Sequence, residues 1–427
     1  MDRITKESYE RILKGLLENP KGKVTFNING VLFDLWHEFG HGRVIETVGE
    51  LLERGQIELT GSAKFHPLLP KLPEDEIKRQ VELNTKTLKE YLGEKTYEPK
   101  GFFPPEMAYD TNVAQVASEM GFSWIIVEEL SFLEGGKVDY SRIYQEKGTK
   151  LSVFFREREI SYKILSGQLG TEKLFLDEIK ERFKKEQYLL TAMDGETFGH
   201  HRPGMDRALM SLLNLEEVQT VLLSDLPEHF PQVEVVETRP STWALMEKDL
   251  EKKVPFARWD DPDNPIHKLQ WELTELAIET VRDSKNPQEA RDMLDRALHS
   301  DQYWWASARP WWSLEMIERG AFELKETVLS VSDASDGAKK RAKELYFRII
   351  TSGFEWQRSG KVEEIARSED EEIRMRTDAG MGDLPKEEIE KMIKHIKQEM
   401  DEVAKNQEYE RAALLRDRIR ELRSYIK

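Results

Sequence analysis

The chain has 427 residues, a formal net charge of −17 at pH 7 and no cysteine. An acidic chain excludes nucleic acid as the main partner, because binding to a phosphate backbone requires a concentrated positive surface. The lack of cysteine excludes disulfides and thiolate metal sites and favours a cytoplasmic location. No apolar run is long enough to cross a bilayer, so we expect no membrane partner.

The first elements in chain order are a helix and a strand. Ser8 to Leu17 has the apolar spacing of a short amphipathic helix, and Val24 to Ile28 reads as a strand. Gln56 to Pro70 then predicts a second strand, followed by a loop that carries His66. A single histidine before a proline is, by itself, more often a capping or packing group than a site residue.

The stretch His37 to His41, HEFGH, is a literal HExxH motif. On a helix it would place two imidazoles one turn apart for zinc, with Glu38 as the base. Two glycines in and after the motif weaken such a helix, which favours a surface helix or loop before the amphipathic segment Val44 to Leu52. The spacing leaves open a third ligand from Glu53 or Glu58.

A candidate carboxylate follows the next predicted strand. After a helix predicted at Glu74 to Leu92, the stretch Pro99 to Asp110 contains a short apolar strand that ends at two prolines, and Glu106 comes directly after them. Proline cannot donate to a sheet ladder, so the prolines predict a turn that holds Glu106. The alternative is that Glu106 is an N-terminal acid of the helix predicted at Thr111 to Met120.

Two further apolar runs predict strands at Trp124 to Val127 and Val153 to Phe155, and the second leads to Arg156. Arg156 has an ordinary alternative role as the ion-pair partner of Glu157 or Glu159. A helix follows at Lys173 to Lys184. Since strands and helices alternate through this half of the chain, a parallel barrel or open sheet is favoured.

The apolar run Tyr188 to Met193 predicts a buried strand that stops abruptly at Asp194. Glu196 and the pair His200 and His201 follow within seven residues. Barrels and open α/β sheets place their chemistry at this end of a strand. The alternative is that Asp194 is only a helix N-cap, although the HHRPG sequence that follows does not continue a helix.

After Gly204 the pattern becomes mainly helical, with one more strand predicted at Val218 to Leu223. The stretch ALHSDQYWW, residues 297–305, places Asp301 beside aromatic residues. Four tryptophans here offer faces either to a bound ligand or to the core, and core packing is the commoner role for at least half of them: Trp304, Trp305, Trp311 and Trp312.

Four of these stretches resemble the signature regions of glycoside hydrolase family 57, which comprises enzymes that act on α-glucans. The sequence AMDGETFGHH around Asp194 resembles the fourth region, and PPE at Glu106 resembles the third. The strand and loop before His66 resemble the second region, and ALHSDQYWW resembles the fifth. The resemblance implies an α/β fold: an incomplete (β/α)7-type barrel, an all-α helical region and a C-terminal helical hairpin.

The first signature of that family, a strand that ends close to HQP, has no counterpart here, because no histidine precedes His37. Either the true start of the protein lies upstream of Met1, or the chain has lost this strand and its histidine. The sequence leaves both explanations open.

The resemblance also implies roles for individual residues. Glu106 would be the nucleophile of a retaining mechanism, and Asp194 the general acid/base. A further set would orient sugar hydroxyls or tune the two acids: His66, Arg156, Glu196, His200, Asp301 and Trp304. The implied substrate is an α-glucan or oligosaccharide, with no cofactor and no metal. Hydrolysis, transfer and branching all remain open.

The end of the chain has a different composition. Residues 361–384 are polar and interrupted by glycine, which predicts a linker. Glu387 to Ile426 carries apolar rows that suit two helices folded back near Asn406. This part resembles the UVR motif, a helical hairpin that mediates protein contacts, through its E-x-A-A-x-L-R-D core at residues 410–417. A generic charged coiled coil is the alternative.

These patterns predict four parts: a barrel domain at 1–230 without its first strand, a helical domain at 231–360, the linker at 361–384 and the hairpin at 385–427. The expected function is glycoside hydrolysis or glucan transfer. One alternative is a catalytically impaired barrel that binds a protein partner, or a second copy of itself, through residues 385–427. The other is a zinc-dependent hydrolase that uses HEFGH or Asp194, His200 and His201.

Overall fold

The fold is given by a computed structural model that describes residues 1–133, 136–377 and 380–426, with the backbone alone described for 370–377. The described residues contain seven strands: β1 (Val24–Phe26), β2 (Ile57–Leu59), β3 (Gly101–Phe102), β4 (Trp124–Glu128), β5 (Ile143–Glu146), β6 (Ser152–Arg156) and β7 (Val233–Val236). β1 pairs with β2, and a second sheet has the order β3-β4-β6-β5-β7. A bridge between Gly61 and Phe102 joins the two sheets.

All strand pairs are parallel except β5 with β6, which is antiparallel. Helices connect and cover the strands: α1 (Asp2–Ile4), α2 (Glu10–Glu18), α3 (Gly30–Glu38), α4 (Gly42–Glu53), α5 (Glu74–Leu92), α6 (Thr111–Glu119), α7 (Arg158–Leu165), α8 (Glu172–Ile179), α9 (Met205–Leu213), α10 (Leu226–His229) and α11 (Glu247–Glu251). A π-helical turn, Thr5–Tyr9, joins α1 to α2, so the chain begins with one continuous helical segment.

The second half of the chain is helical. It consists of α12 (Pro265–Asp283), α13 (Gln288–Ala297), α14 (Asp301–Trp304), α15 (Leu314–Ser330), α16 (Asp336–Ser359) and α17 (Lys361–Thr377), followed by the hairpin helices α18 (Lys386–Lys405) and α19 (Tyr409–Ser424). The hairpin helices lie on the two sides of Asn406, as the sequence predicted. No helix in the described ranges has the length and apolar character of a membrane span.

Two apolar clusters organise the packing. The first combines the central strands, including Ile125 and Phe154, with helical residues such as Leu324 and Leu345. The second combines the outer helices α2, α3, α4 and α9 with the hairpin. The sheet therefore shares a core with the helical region, while the N-terminal helices share one with the C-terminal hairpin. The predicted boundaries at 230 and 360 remain a prediction.

Two predicted strands do not form. Residues 188–193 form no strand, although they lie beside the end of β6: Glu157 N donates to Leu190 O at 2.7 Å, and Arg156 Nε donates to Ala192 O at 2.8 Å. Residues 218–222 are irregular and are held beside β1 by a side-chain bond, from Lys23 N to Thr220 Oγ1 at 3.0 Å. Most of these residues are only partly buried, so the sheet ladder is not needed to satisfy their backbone groups.

The predicted linker is in large part the helix α17, and residues 378–379 lie outside the described residues. Its Glu369 is 2% exposed. The carboxylate of Glu369 contacts Lys248 Nζ at 2.6 Å and Arg258 Nη2 at 3.2 Å. These ion pairs hold a polar, helix-forming stretch against the helical region. Its composition alone suggested an unstructured connection, because tertiary ion pairs leave no local pattern in the sequence.

Candidate active site

Glu106 occupies a strained turn directly after β3. It lies in a 3-10 turn, Pro105–Met107, with a φ of 60°, which is the left-handed region that non-glycine residues rarely adopt. Its Oε2 accepts a hydrogen bond of 2.8 Å from Trp243 Nε1. The helix α6 is capped instead by Asp110, whose carboxylate accepts from Val113 N. Glu106 is therefore not the N-terminal acid of that helix.

His66 holds the other oxygen of Glu106, with an Nε2–Oε1 distance of 2.8 Å. The φ of His66 is 58°, so both partners have the uncommon left-handed backbone conformation. Burial lowers the pKa of His66, but the hydrogen bond to Glu106 and the charges of Glu106, Asp301 and Asp194 together raise it above its ordinary value. The charges of Glu106, Asp301 and Asp194 therefore all act on this imidazole.

Asp194 ends the extended segment 188–193 and begins a 3-10 turn, Gly195–Thr197. Its side chain makes no capping hydrogen bond, so the alternative role as an N-cap is not fulfilled. Arg156 steadies the segment just before it, because Arg156 Nε donates to the carbonyl of Ala192 at 2.8 Å. The carboxyl of Asp194 is thus left for another purpose.

The pKa of Asp194 is raised to about 7. Desolvation by the surrounding protein is the largest cause, followed by the negative charges of Glu106 and Glu196, while His66 and Arg156 oppose the shift. The side chain is nevertheless exposed by its accessible surface. Solvent therefore reaches this carboxyl, while the charges of Glu106 and Glu196 still act on it. The charges of Glu106 and Glu196 act in the same direction as desolvation, because a nearby negative charge disfavours ionisation of a carboxyl.

This pKa predicts a pH-dependent gain in thermal stability for Asp194→Asn. The pKa of the Asp194 carboxyl is 3.8 in the unfolded chain and about 7 in the folded chain. Its contribution to the stability of the fold is therefore fully present below pH 3.8 and is lost as the pH rises through about 7. Asparagine never ionises, so the variant should exceed the wild type in Tm at pH 8 and by much less at pH 4. Calorimetry at both values measures this.

The matched control for the stability experiment is Asp263→Asn, because Asp263 is exposed on a loop. Its Tm difference from the wild type should be the same at pH 4 and pH 8. A Tm difference for Asp194→Asn that is equally independent of pH would contradict the raised pKa.

Glu196 and His200 face the N-terminal helical segment. Glu196 accepts a short hydrogen bond from the hydroxyl of Tyr9. The Nδ1 of His200 lies 2.6 Å from Oε2 of Glu7. Glu196 and His200 were both predicted to contact the sugar. Glu196 lies beside Asp194, whereas His200 is paired with Glu7.

Arg156, Asp301 and Trp304 have different surroundings. Arg156 is 2% exposed and pairs with Glu128 at 2.8 Å, not with Glu157 or Glu159. Asp301 is half exposed and raises the pKa of His66 through its charge. The ring of Trp304 lies between those of Trp259 and Trp311, with centroid distances of 5.0 and 6.4 Å.

Three residues of this site were not found from the sequence: Tyr9, Asn29 and Trp243. Tyr9 lies on a predicted amphipathic helix, where an aromatic residue usually marks the core face. Asn29 Nδ2 lies 3.4 Å from His66 Nδ1 and donates to the carbonyl of Ala63 at 3.0 Å. Trp243 follows a bridge between Tyr109 and Ser241 that brings two distant loops together. No local pattern signals such a tertiary contact.

The HEFGH motif does not lie on one helix. Helix α3 ends at Glu38, and His41 is the residue before α4. His41 Nε2 is 2.8 Å from Oδ1 of Asp2, while the ring of His37 packs against Tyr91 at 5.8 Å. The two imidazoles therefore lack the one-turn spacing that a zinc site of this type requires.

Comparison with known proteins identifies the family of the chain. Residues 2–239 match the family model for Glycosyl hydrolase family 57, and residues 390–425 match the UvrB/uvrC motif. Alpha-amylase 1 of Dictyoglomus thermophilum is 26% identical over 203 residues, which are 47% of this chain and 29% of that protein. A 1,4-alpha-glucan branching enzyme of Thermococcus kodakarensis is 28% identical over 207 residues, 40% of this chain and 30% of that protein.

A solved structure agrees with the fold. The 4-alpha-glucanotransferase from Thermococcus litoralis superposes with a TM-score of 0.63 at 16% identity, covering 76% of this chain and 56% of that one.

Hydrolysis of a glycosidic bond requires a pair of carboxyl groups, and in this α/β fold Glu106 follows β3 while Asp194 follows the unpaired segment 188–193. Because the family match extends over more than half of its residues, the chain belongs to glycosyl hydrolase family 57. The incomplete (β/α)7-type barrel and the UVR hairpin predicted from sequence are confirmed. The chain spans 29% and 30% of the length of the two curated relatives named above.

Proposed function

We propose that the chain cleaves or transfers α-glucans by a retaining mechanism, with Glu106 as nucleophile and Asp194 as general acid/base. The observation that carries this proposal is the contrast between the two carboxyl groups. Two donors, His66 and Trp243, orient the oxygens of Glu106. Asp194 has no capping bond and a pKa raised to about 7, so a large fraction of it is protonated near neutral pH. Two carboxyl groups with opposed environments are the usual sign of separate acid and nucleophile roles.

The chemistry then has two steps. In the first, a Glu106 oxygen attacks the anomeric carbon, the glycosidic C–O bond breaks, and the proton of Asp194 passes to the leaving oxygen. In the second, water or a sugar hydroxyl attacks the same carbon, its proton passes to Asp194, and the bond to Glu106 breaks. A carboxyl separation of about 5–5.5 Å with substrate bound is expected for retention.

The remaining predicted site residues divide into two groups under this proposal. His66 and Asp301 contact the sugar or tune the acids, and Trp304 with Trp311 offers a partly open aromatic face to a sugar ring. Glu196 adds to the raised pKa of Asp194, for which desolvation is the main cause and the charge of Glu106 the second. Arg156 and His200 instead position protein groups, since both are held by carboxylates of the chain.

A partner, or a second copy of the chain, bound through residues 385–427 is a further part of the proposal. The solvent-exposed surface of α19 carries Tyr409, which is 68% exposed, and Leu414, which is 36% exposed. Sedimentation of the full chain beside a Tyr409→Ser and Leu414→Ser variant tests self-association through that surface. The cysteine-free composition is the reason for proposing a cytoplasmic location.

The function is tested with maltooligosaccharides and amylose as substrates, by following reducing ends and product lengths with and without EDTA. Turnover that EDTA leaves unchanged would support the carboxylate mechanism, and longer products than the substrate would identify transfer. Loss of activity with EDTA would favour the zinc-dependent alternative. A folded protein without turnover on any α-glucan would contradict the proposal.

A further inference from the structure

The C-terminal hairpin lies against the part of the chain that carries the candidate acid. Its buried apolar row shares one cluster with α2 and α9: Ile389, Met392, Ile396, Val403, Leu415, Ile419 and Leu422. The fit is close, since a Cβ on Gly204 would lie 3.0 Å from Ile396 Cγ1, and one on Gly170 would lie 2.6 Å from Met392 Cε. The apolar row of the hairpin is thus occupied within the same chain.

A buried arginine connects this hairpin to the loop after Asp194. Arg411 on α19 has a side chain that is 4% exposed. Its Nη1 donates to the carbonyl oxygen of Gly199 at 2.6 Å, and its Nη2 donates to Oε1 of Glu399 at 2.9 Å. Glu399 also accepts from Arg11 Nη1 at 2.6 Å, so the N-terminal helix α2 joins the same network. A planar guanidinium suits such a pair of divergent contacts better than lysine does.

The opposite side of the loop rests on the N-terminal segment. The hydroxyl of Ser8 donates to the carbonyl of Gly195 at 2.8 Å, and Glu7 pairs with His200. Gly199 has a φ of 116°, and a Cβ there would lie 2.1 Å from the carbonyl oxygen of Glu7. The loop therefore passes between the N-terminal segment and Arg411, with no room for a side chain at the crossing point.

We infer that Arg411 is a positioning residue for the reaction, and that the hairpin acts within its own chain to hold the loop of Asp194 and Glu196 in its active geometry. This inference rests on the proposed role of Asp194 as the acid/base. In the described structure Arg411 contacts neither Asp194 nor Glu196. It acts through the Gly199 carbonyl and through Glu7, whose Oε2 is 3.7 Å away.

The test compares Arg411→Ala with Arg416→Ala in the full chain. Arg416 lies on the same helix, is 53% exposed and contacts Asp417 at its surface. Amide hydrogen exchange of residues 195–204 is the first readout. Loss of one charge-assisted hydrogen bond should raise exchange there by about tenfold or more in Arg411→Ala. Arg416→Ala should leave it unchanged.

The second readout is the titration of the Asp194 carboxyl, followed by carbon NMR. The groups that act on it are Glu106, Glu196, His66 and Arg156, together with the facing Tyr9. A loosened loop admits water and separates Asp194 from Glu106, so the pKa of Asp194 should fall in Arg411→Ala. The alkaline limb of kcat should move to lower pH with it, with a smaller effect on KM.

If the alanine variant does not fold, Arg411→Gln replaces it in the same comparison. A folded variant that loses Tm but keeps both loop protection and the wild-type Asp194 titration would overturn the inference, since Arg411 would then only stabilise the hairpin. Absence of turnover in the wild type would refute the proposed function alone. Exchange and titration require no turnover and still decide the role of Arg411.

Discussion

Asp194→Asn is expected to lower kcat on amylose by about 10²- to 10⁴-fold, the usual contribution of a general acid. The glucose hydroxyl is a poor leaving group, so its departure depends on the proton that Asp194 supplies. A dinitrophenyl maltoside releases a stable phenolate without that proton, and its first step should be much less affected. The measurement is the ratio of the two losses under single-turnover conditions.

The control for this experiment is Asp263→Asn, which should match the wild type on both substrates.

In the wild type, kcat on amylose should fall as the pH rises through about 7, because the required proton is lost from Asp194. That limb should be absent in Asp194→Asn. Equal losses on the two substrates would show that Asp194 does not donate the proton.

Glu106→Ala is expected to produce the largest loss of any single substitution, beyond the about 10²- to 10⁴-fold that a proton donor contributes. Without the carboxylate no glycosyl-enzyme bond forms, and the retaining route is closed. Azide can enter the vacated space and attack the anomeric carbon of the dinitrophenyl maltoside. Activity should therefore return with added azide, and the product should be the β-glycosyl azide, whose configuration is inverted.

Trp243→Phe is the matched variant for the nucleophile. It removes the 2.8 Å hydrogen bond to Glu106 Oε2 but leaves the carboxylate in place. Its loss of kcat should be much smaller, and azide should not restore it. An α-glycosyl azide from Glu106→Ala, or no response to azide at all, would argue against Glu106 as the nucleophile.

The sequence predicted the site best where local chemistry marked it. Two prolines before Glu106 and the abrupt end of an apolar run at Asp194 each leave a visible trace in one segment. Trp243 has no such local signal, because it belongs to the site only through its hydrogen bond to Glu106, which is 137 residues away in the sequence. Tyr9 likewise reaches Glu196 across 187 residues.

The strands show the same limit. An apolar run at 188–193 resembles a buried strand, but hydrophobicity cannot show whether a neighbouring ladder is available. β5 and β7 were not predicted, since IYQE and VEVV mix polar with apolar residues and give no continuous apolar run, although β5 lies between β6 and β7 in the sheet. Helices with strong apolar spacing were recovered well, and α5 has the predicted bounds Glu74–Leu92.

The position of Arg411 also sets an order of events during synthesis. Gly199 and Arg411 are 212 residues apart. At about 5–20 residues per second, the ribosome needs roughly 10–40 s to make that interval. During this time the nascent chain already contains Glu106 and Asp194 but not the arginine that holds the loop after Asp194. Competence would thus arrive only with α19, and a chain interrupted before that helix would carry both carboxyl groups without the geometry to use them.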